Sequence, residues 1–164
     1  MMVQSQALRV TVFTAVAALA VDQLSKLFVL VVLDLDRVGE MVVVPSLVHF
    51  RMGWNTGVNF GLLAGDSALT RWLLASLGIG AAICIVIWSW QKLRNRLEYL
   101  LAGALAGGAA ANGLDRVIHG AVVDFLNISC CTIDNPYVFN LADVAIVCGA
   151  AGLVVFGLFN PGKG

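Results

Sequence analysis

Charge is scarce in this chain. Ten Lys and Arg are balanced by ten Asp and Glu, together 12% of 164 residues, for a formal net charge of zero. Such a balance lacks the basic surface that nucleic acid requires, so no nucleic-acid partner is expected. Histidine is scarce as well: His49 and His119 stand far apart, which argues against a histidine-based metal site. Cysteine offers little more. Cys84 and Cys148 lie inside apolar runs, and Cys130 and Cys131 are immediate neighbours, a pair that seldom bridges and has no zinc spacing. A reactive thiol there is the open alternative. No metal and no cofactor is expected.

Apolar side chain is what the sequence has in abundance, at 60% of residues and a mean hydropathy of +0.90. A small soluble domain cannot hide that much from water. Four runs, about 8–33, 69–90, 97–114 and 139–159, each reach the roughly 20 residues that a crossing needs. The expected fold class is therefore a membrane protein with four transmembrane helices and a small extracytoplasmic β-sheet region, one integral membrane domain over 1–164. The first run carries Asp22, Gln23 and Lys26 and is too long and polar-centred for a cleaved leader. In the third, "LAGALAGGAAANGL", Gly103, Gly107 and Ala111 make a small-residue stripe that invites close helix approach. The segment 34–67 differs. "MVVVPSLVHFRMGW" favours short strands, Pro45 bars a central-strand position, and "NTG" at 55–57 reads as a turn. Lys92, Arg94 and Arg96 in the short link "QKLRNR", with Arg9 and Lys163 flanking the ends, put both termini and that link in the cytoplasm. Segments 34–67 and 115–137 then lie outside.

Several polar residues sit where they are expensive. Asp22 and Lys26, four apart, share a helix face and can form a structural pair. In "NGLDR", Arg116 either holds Asp115 or an outside headgroup, or arranges a carboxylate or loop. Asp124 stands among Val122, Val123 and Phe125, while Asn140 and Asp143 open the fourth run. Taken singly, Asp143 suits a helix N-terminus and Asp124 a solvated loop. Taken together, on one side of the membrane, they favour a shared site. Two acids meeting in low dielectric cannot both ionise cheaply, so one keeps a proton, which is aspartic-peptidase chemistry. The chemical rival is magnesium held by Asp115, Asp124 and Asp143, though no phosphate-binding feature accompanies it. A non-enzymatic membrane scaffold or small transporter is the alternative of another class; the halves show no inverted repeat, which argues against transport.

Five fragments in order, "DQLSK" (22–26), "NTGVNFG" (55–61), "GGAAANGLDR" (107–116), "GAVVDF" with Asp124 and "FNLADVAI" with Asp143, resemble the bacterial lipoprotein signal peptidase (signal peptidase II) family over about 8–159. The resemblance implies an aspartic endopeptidase with Asp124 and Asp143 as its catalytic dyad. It implies that Asn55, Gly57, Gly108, Asn112, Arg116 and Asn140 face the substrate or shape the site, and that Asp22, Lys26 and Asp115 are architectural. The implied reaction removes the signal peptide from diacylglyceryl-cysteine prolipoproteins at the outer face of the cytoplasmic membrane. Its partners are those prolipoproteins and membrane lipid, and a monomer is the expected state. The stretch 115–137 is expected to act as a lid. The chain departs from the family at Val58, Asn59 and Gly113, the last expected to loosen the end of the third helix.

Overall fold

The computed structural model describes residues 2–57, 68–129 and 135–159. The chain runs through α1 (Met2–Leu27), a π-helical turn (Phe28–Val32), α2 (Leu35–Val38), β1 (Glu40–Val44), β2 (Val48–Asn55), α3 (Ala68–Lys92), α4 (Arg96–Ile118), β3 (Val122–Ile128) and α5 (Leu141–Phe159). Local chemistry sets several boundaries. Asn95 opens α4 with a reciprocal cap: its Oδ1 accepts the Leu97 N–H at 2.9 Å, and Glu98 reaches back to the Asn95 N–H at 3.0 Å. At the far end of α4, Arg71 of α3 donates to the carbonyls of Arg116 and Val117 at 2.7 and 2.6 Å. Gly120, at φ +86°, then turns the chain toward β3.

Helix α4 is the axis against which α1, α3 and α5 all rest. Its small residues make that possible. A Cβ at Gly103 would lie 2.6 Å from the Thr11 carbonyl oxygen of α1, one at Gly107 would meet the Ala15 carbonyl, and one at Gly108 would lie 2.5 Å from the Ala142 carbonyl of α5. Ala111 completes the stripe and is fully buried. Gly113 does not loosen the helix end as expected. A Cβ there would lie 3.1 Å from the Ala75 carbonyl of α3, so the missing side chain is what admits the neighbouring helix.

The expected count of four membrane-crossing helices is corrected to three. Leu8–Val32, Ala68–Lys92 and Leu141–Leu158 are the helices, among the described residues, that are long and apolar enough to cross a membrane. Helix α4 has the length but not the hydropathy, because Ala and Gly dominate it and Arg96, Glu98, Asp115 and Arg116 lie within it. The physical reason is its position. A helix that touches protein on three sides gains little from an oily surface, whereas the other three turn most of their apolar side chains outward.

The sheet is small and open, three antiparallel strands in the order β1-β2-β3. Pro45 falls in the turn between β1 and β2, beside Ser46 at φ 61°, where its missing N–H costs no ladder bond. The third strand was not expected. Residues 122–128, read as part of a lid, form β3, with Val122 through Phe125 all buried. Burial on both faces removes the alternation that marks a half-exposed strand. Phe125 packs edge-on to Phe50 of β2 with centroids 5.5 Å apart, over a cluster with Val29 and Leu35. Phe139 then bonds back to Leu126, at 2.9 Å through its N–H and 2.8 Å through its carbonyl, so α5 begins beside β3. Residues 58–67, with Val58 and Asn59, residues 130–134, with Cys130 and Cys131, and Lys163 lie outside the described residues.

The glycine contacts yield a test. Gly103→Ala and Gly107→Ala are each expected to lower stability by about 1–3 kcal/mol through overpacking. Gly80→Ala and Gly157→Ala, where an added Cβ meets nothing within 4 Å, should leave the thermal midpoint in detergent unchanged or slightly raised.

Candidate active site

The C-terminal ends of α1 and α4, the start of α5, β3 and the end of β2 converge at one end of the bundle. Asp124 points from β3 and is 2% exposed. Its Oδ1 accepts the Asn140 side-chain amide at 2.6 Å, and its Oδ2 accepts the Asn55 amide at 3.2 Å. Asn55 closes β2 opposite Val122, a register that also sets Gly53 opposite Asp124. A Cβ at Gly53 would lie 2.5 Å from a methyl of Val138, so a side chain there would have to push Val138 aside.

Asp143 stands in the first turn of α5 and is half-buried. Its Oδ1 accepts the Asn112 amide at 2.8 Å, and its Oδ2 accepts the Asn140 N–H at 3.2 Å. Asn140 returns the contact, with its Oδ1 accepting the Asp143 N–H at 2.9 Å, a reciprocal cap that orients both residues. The Asn140 amide also donates to Asn112 Oδ1 at 3.1 Å. Asp124, Asn140, Asn112 and Asp143 therefore form one continuous hydrogen-bonded chain, fully tied to β2 through Asn55.

The remaining candidates surround this chain. Arg116 donates to the Asn112 carbonyl at 3.1 Å and the Gly57 carbonyl at 2.8 Å, so it holds the main chain at Gly57, just past β2, rather than Asp115. Gly57 also donates its N–H to Asn55 Oδ1 at 3.3 Å. Gly108 lies beneath α5 and shapes the site by admitting Ala142. Asp22, Lys26 and Asp115 form a buried cluster, with Lys26 Nζ 2.6 Å from Asp22 and 2.7 Å from Asp115. Asp115 also accepts the Gln23 amide at 2.7 Å and the Val123 N–H at 3.1 Å, which commits both its oxygens and takes it out of any shared ligand set with Asp124 and Asp143. Sequence reasoning passed over Gln23 and Arg71 as site-supporting residues; their partners are a remote carboxylate and two carbonyls, and neither leaves a mark in a linear pattern.

Asp124 is held in an environment that favours its neutral form. Burial raises its carboxyl to about 7, and the neighbouring charge of Asp143 adds to the effect. The hydrogen bonds from Asn55 and Asn140 and the charge of Lys26 pull the other way. A carboxyl that gives up its proton near neutral pH, tied to a second carboxylate, can serve proton transfer in either direction.

A family model described as signal peptidase (SPase) II matches residues 14–159. A lipoprotein signal peptidase of Methylobacterium sp. (strain 4-46) is 38% identical over 151 residues, covering 92% of this chain and 90% of the relative. One from Nitrobacter hamburgensis is 39% identical over 150 residues, 90% of each, and one from Caulobacter vibrioides is 40% identical over 144, 86% of this chain and 83% of the relative. Among solved structures, a bacterial membrane enzyme determined by the in meso method at 1.9 Å resolution superposes with a TM-score of 0.74 at 24% identity, covering 92% of this chain and 93% of that one. At that identity the match shows a shared fold.

The raised carboxyl has a consequence for stability. Unfolded, Asp124 titrates near 3.8; folded, near 7. A raised value favours the protonated fold, so its contribution is complete below about pH 4 and is lost as pH rises through about 7. Thermal midpoints measured across this range should fall for the wild type relative to Asp124→Asn between pH 4 and 7, and run parallel above it.

Proposed function

The chain belongs to the signal peptidase II family, and from that premise we propose that Asp124 and Asp143 are the reacting pair of an aspartic endopeptidase. Family and fold make it a multi-pass protein of the bacterial inner membrane and a membrane-embedded peptidase that acts on lipoproteins. The finer reading is removal of the signal peptide from a prolipoprotein, by a cut immediately before its diacylglyceryl-cysteine. The observation that carries it is the single hydrogen-bonded chain joining a strand carboxyl to a helix carboxyl through Asn140 and Asn112.

The pair shares one proton at working pH. The ionised carboxylate takes a proton from a water lying between the two, and the water oxygen adds to the scissile carbonyl carbon. The protonated carboxyl donates to the carbonyl oxygen as negative charge builds there. Collapse breaks the carbon–nitrogen bond, and the amine leaves with a proton returned by the pair. Asn55 and Asn140 hold the carboxyls in place, while Arg116 fixes the main chain at Gly57. No metal or cofactor enters these steps, and a monomer suffices.

Orientation follows from charge. Arg9, Lys92, Arg94 and Arg96 cluster at and beside the link between α3 and α4, where Val10 packs against Leu93, at the end of the bundle opposite the carboxylates. By the positive-inside rule that end faces the cytoplasm and the site opens toward the outer face.

The test incubates purified protein in lipid with a prolipoprotein bearing diacylglyceryl-cysteine and reads product masses. Asp124→Asn and Asp143→Asn are each expected to slow the cut by at least about a thousandfold, with no effect of chelator. Loss to chelator would sink the aspartic mechanism in favour of a metal; absence of cleavage by folded wild type would favour a scaffold.

A further inference from the structure

The buried cluster of Asp22, Lys26 and Asp115 contains more acceptors than an ion pair between two helices requires. One ammonium serves two carboxylates, and the residues are 0%, 2% and 0% exposed. A second buried carboxylate is costly unless its oxygens are met. The structure shows what meets them. Asp22 Oδ1 accepts the N–H of Ala142 at 2.8 Å. Asp115 Oδ2 accepts the N–H of Val123 at 3.1 Å. Ala142 immediately precedes Asp143, and Val123 immediately precedes Asp124.

We propose that Asp22 and Asp115 are matched positioning residues: joined by Lys26, each grips the main chain one residue before one member of the pair and so sets the separation and facing of the two carboxylates. This rests on the reading of Asp124 and Asp143 as the reacting pair. In α5 the Ala142 N–H belongs to the first turn, where it has no partner within the helix, so Asp22 acts as a cap supplied by another helix. In β3 the Val123 N–H lies on an edge strand, and Asp115 takes the place of a further strand. Lys26 also reaches Asn112 Oδ1 at 3.5 Å, which steadies the amide that donates to Asp143. The strand and the helix are thus referred to one ammonium, in addition to the main-chain pairing through Phe139 and the bond from Asn140 to Asp124.

Small misplacement of reacting groups is expensive in rate. Asp22→Asn and Asp115→Asn are expected to lower kcat about 10- to 100-fold with KM changed less than about twofold. The pH–rate profile separates positioning from mere folding. The pair faces Arg116 and Asn112 of α4, Lys26 of α1, Asn55 of β2 and Asn140. Removing one buried negative charge moves both limbs of the kcat profile the same way. Letting the carboxylates drift apart weakens their coupling, so the limbs also draw together. A purely structural role lowers the folded fraction and leaves the limb separation as in wild type.

Folded variants whose limbs keep their wild-type separation, or whose kcat stays within about twofold, would overturn the proposal. If either variant fails to fold, Gln23→Leu decides, since it removes the amide shared by Asp115 Oδ1 and Asp22 Oδ2 and leaves both ion pairs in place. It should narrow the profile and lower kcat about threefold, and unchanged values would likewise reject the idea. Cleavage surviving in Asp124→Asn or Asp143→Asn would instead overturn the reading of the pair itself, a separate outcome from the same assay.

Discussion

A carboxylate among apolar helices is tolerated only when donors meet its oxygens. At the site end of this bundle that requirement applies four times, to Asp22, Asp115, Asp124 and Asp143, and each oxygen has a donor. Among the described residues no buried side-chain polar atom is without a partner. The donors come from α1, α4, β2, β3 and the start of α5, so no one element can solvate the group. All of them must arrive within hydrogen-bond reach of one another. The glycines of α4 are what permit this, because a methyl at Gly107 or Gly108 would hold α1 or α5 away.

The donors are not alike. Lys26, the cation at bonding distance, goes to Asp22 and Asp115. Asp124 and Asp143 receive neutral amides and a backbone N–H instead. Arg116 turns its guanidinium to two carbonyls. An ammonium bound directly to Asp124 would hold it ionised; amides leave burial and Asp143 free to bring its titration close to neutrality. Full charge pairing serves the scaffold, and incomplete charge pairing serves the proposed chemistry.

Much of this was legible before any fold. Asp22 and Lys26 at helical spacing announced a pair, and Asn140 with Asp143 announced a helix start, because both contacts are short in sequence and depend on side-chain type. The five ordered fragments pointed to the family that the comparisons then showed. Other features were misread. Composition alone makes helix α4 a fourth crossing because it reports a run's own side chains and not its neighbours. Strand β3 was read as lid because burial on both faces erased its alternation.

The sequence by itself determined which residues are polar where polarity is costly, and which local caps they can form. Those properties are carried by side-chain identity over a few positions. Only the tertiary structure decided that α4 is shielded by protein, that Arg116 serves the main chain at Gly57, and that Asp22 and Asp115 hold the main chain beside Asp143 and Asp124. A backbone N–H is the same at nearly every residue, so its partner cannot be read from letters. It is chosen when distant elements close around it.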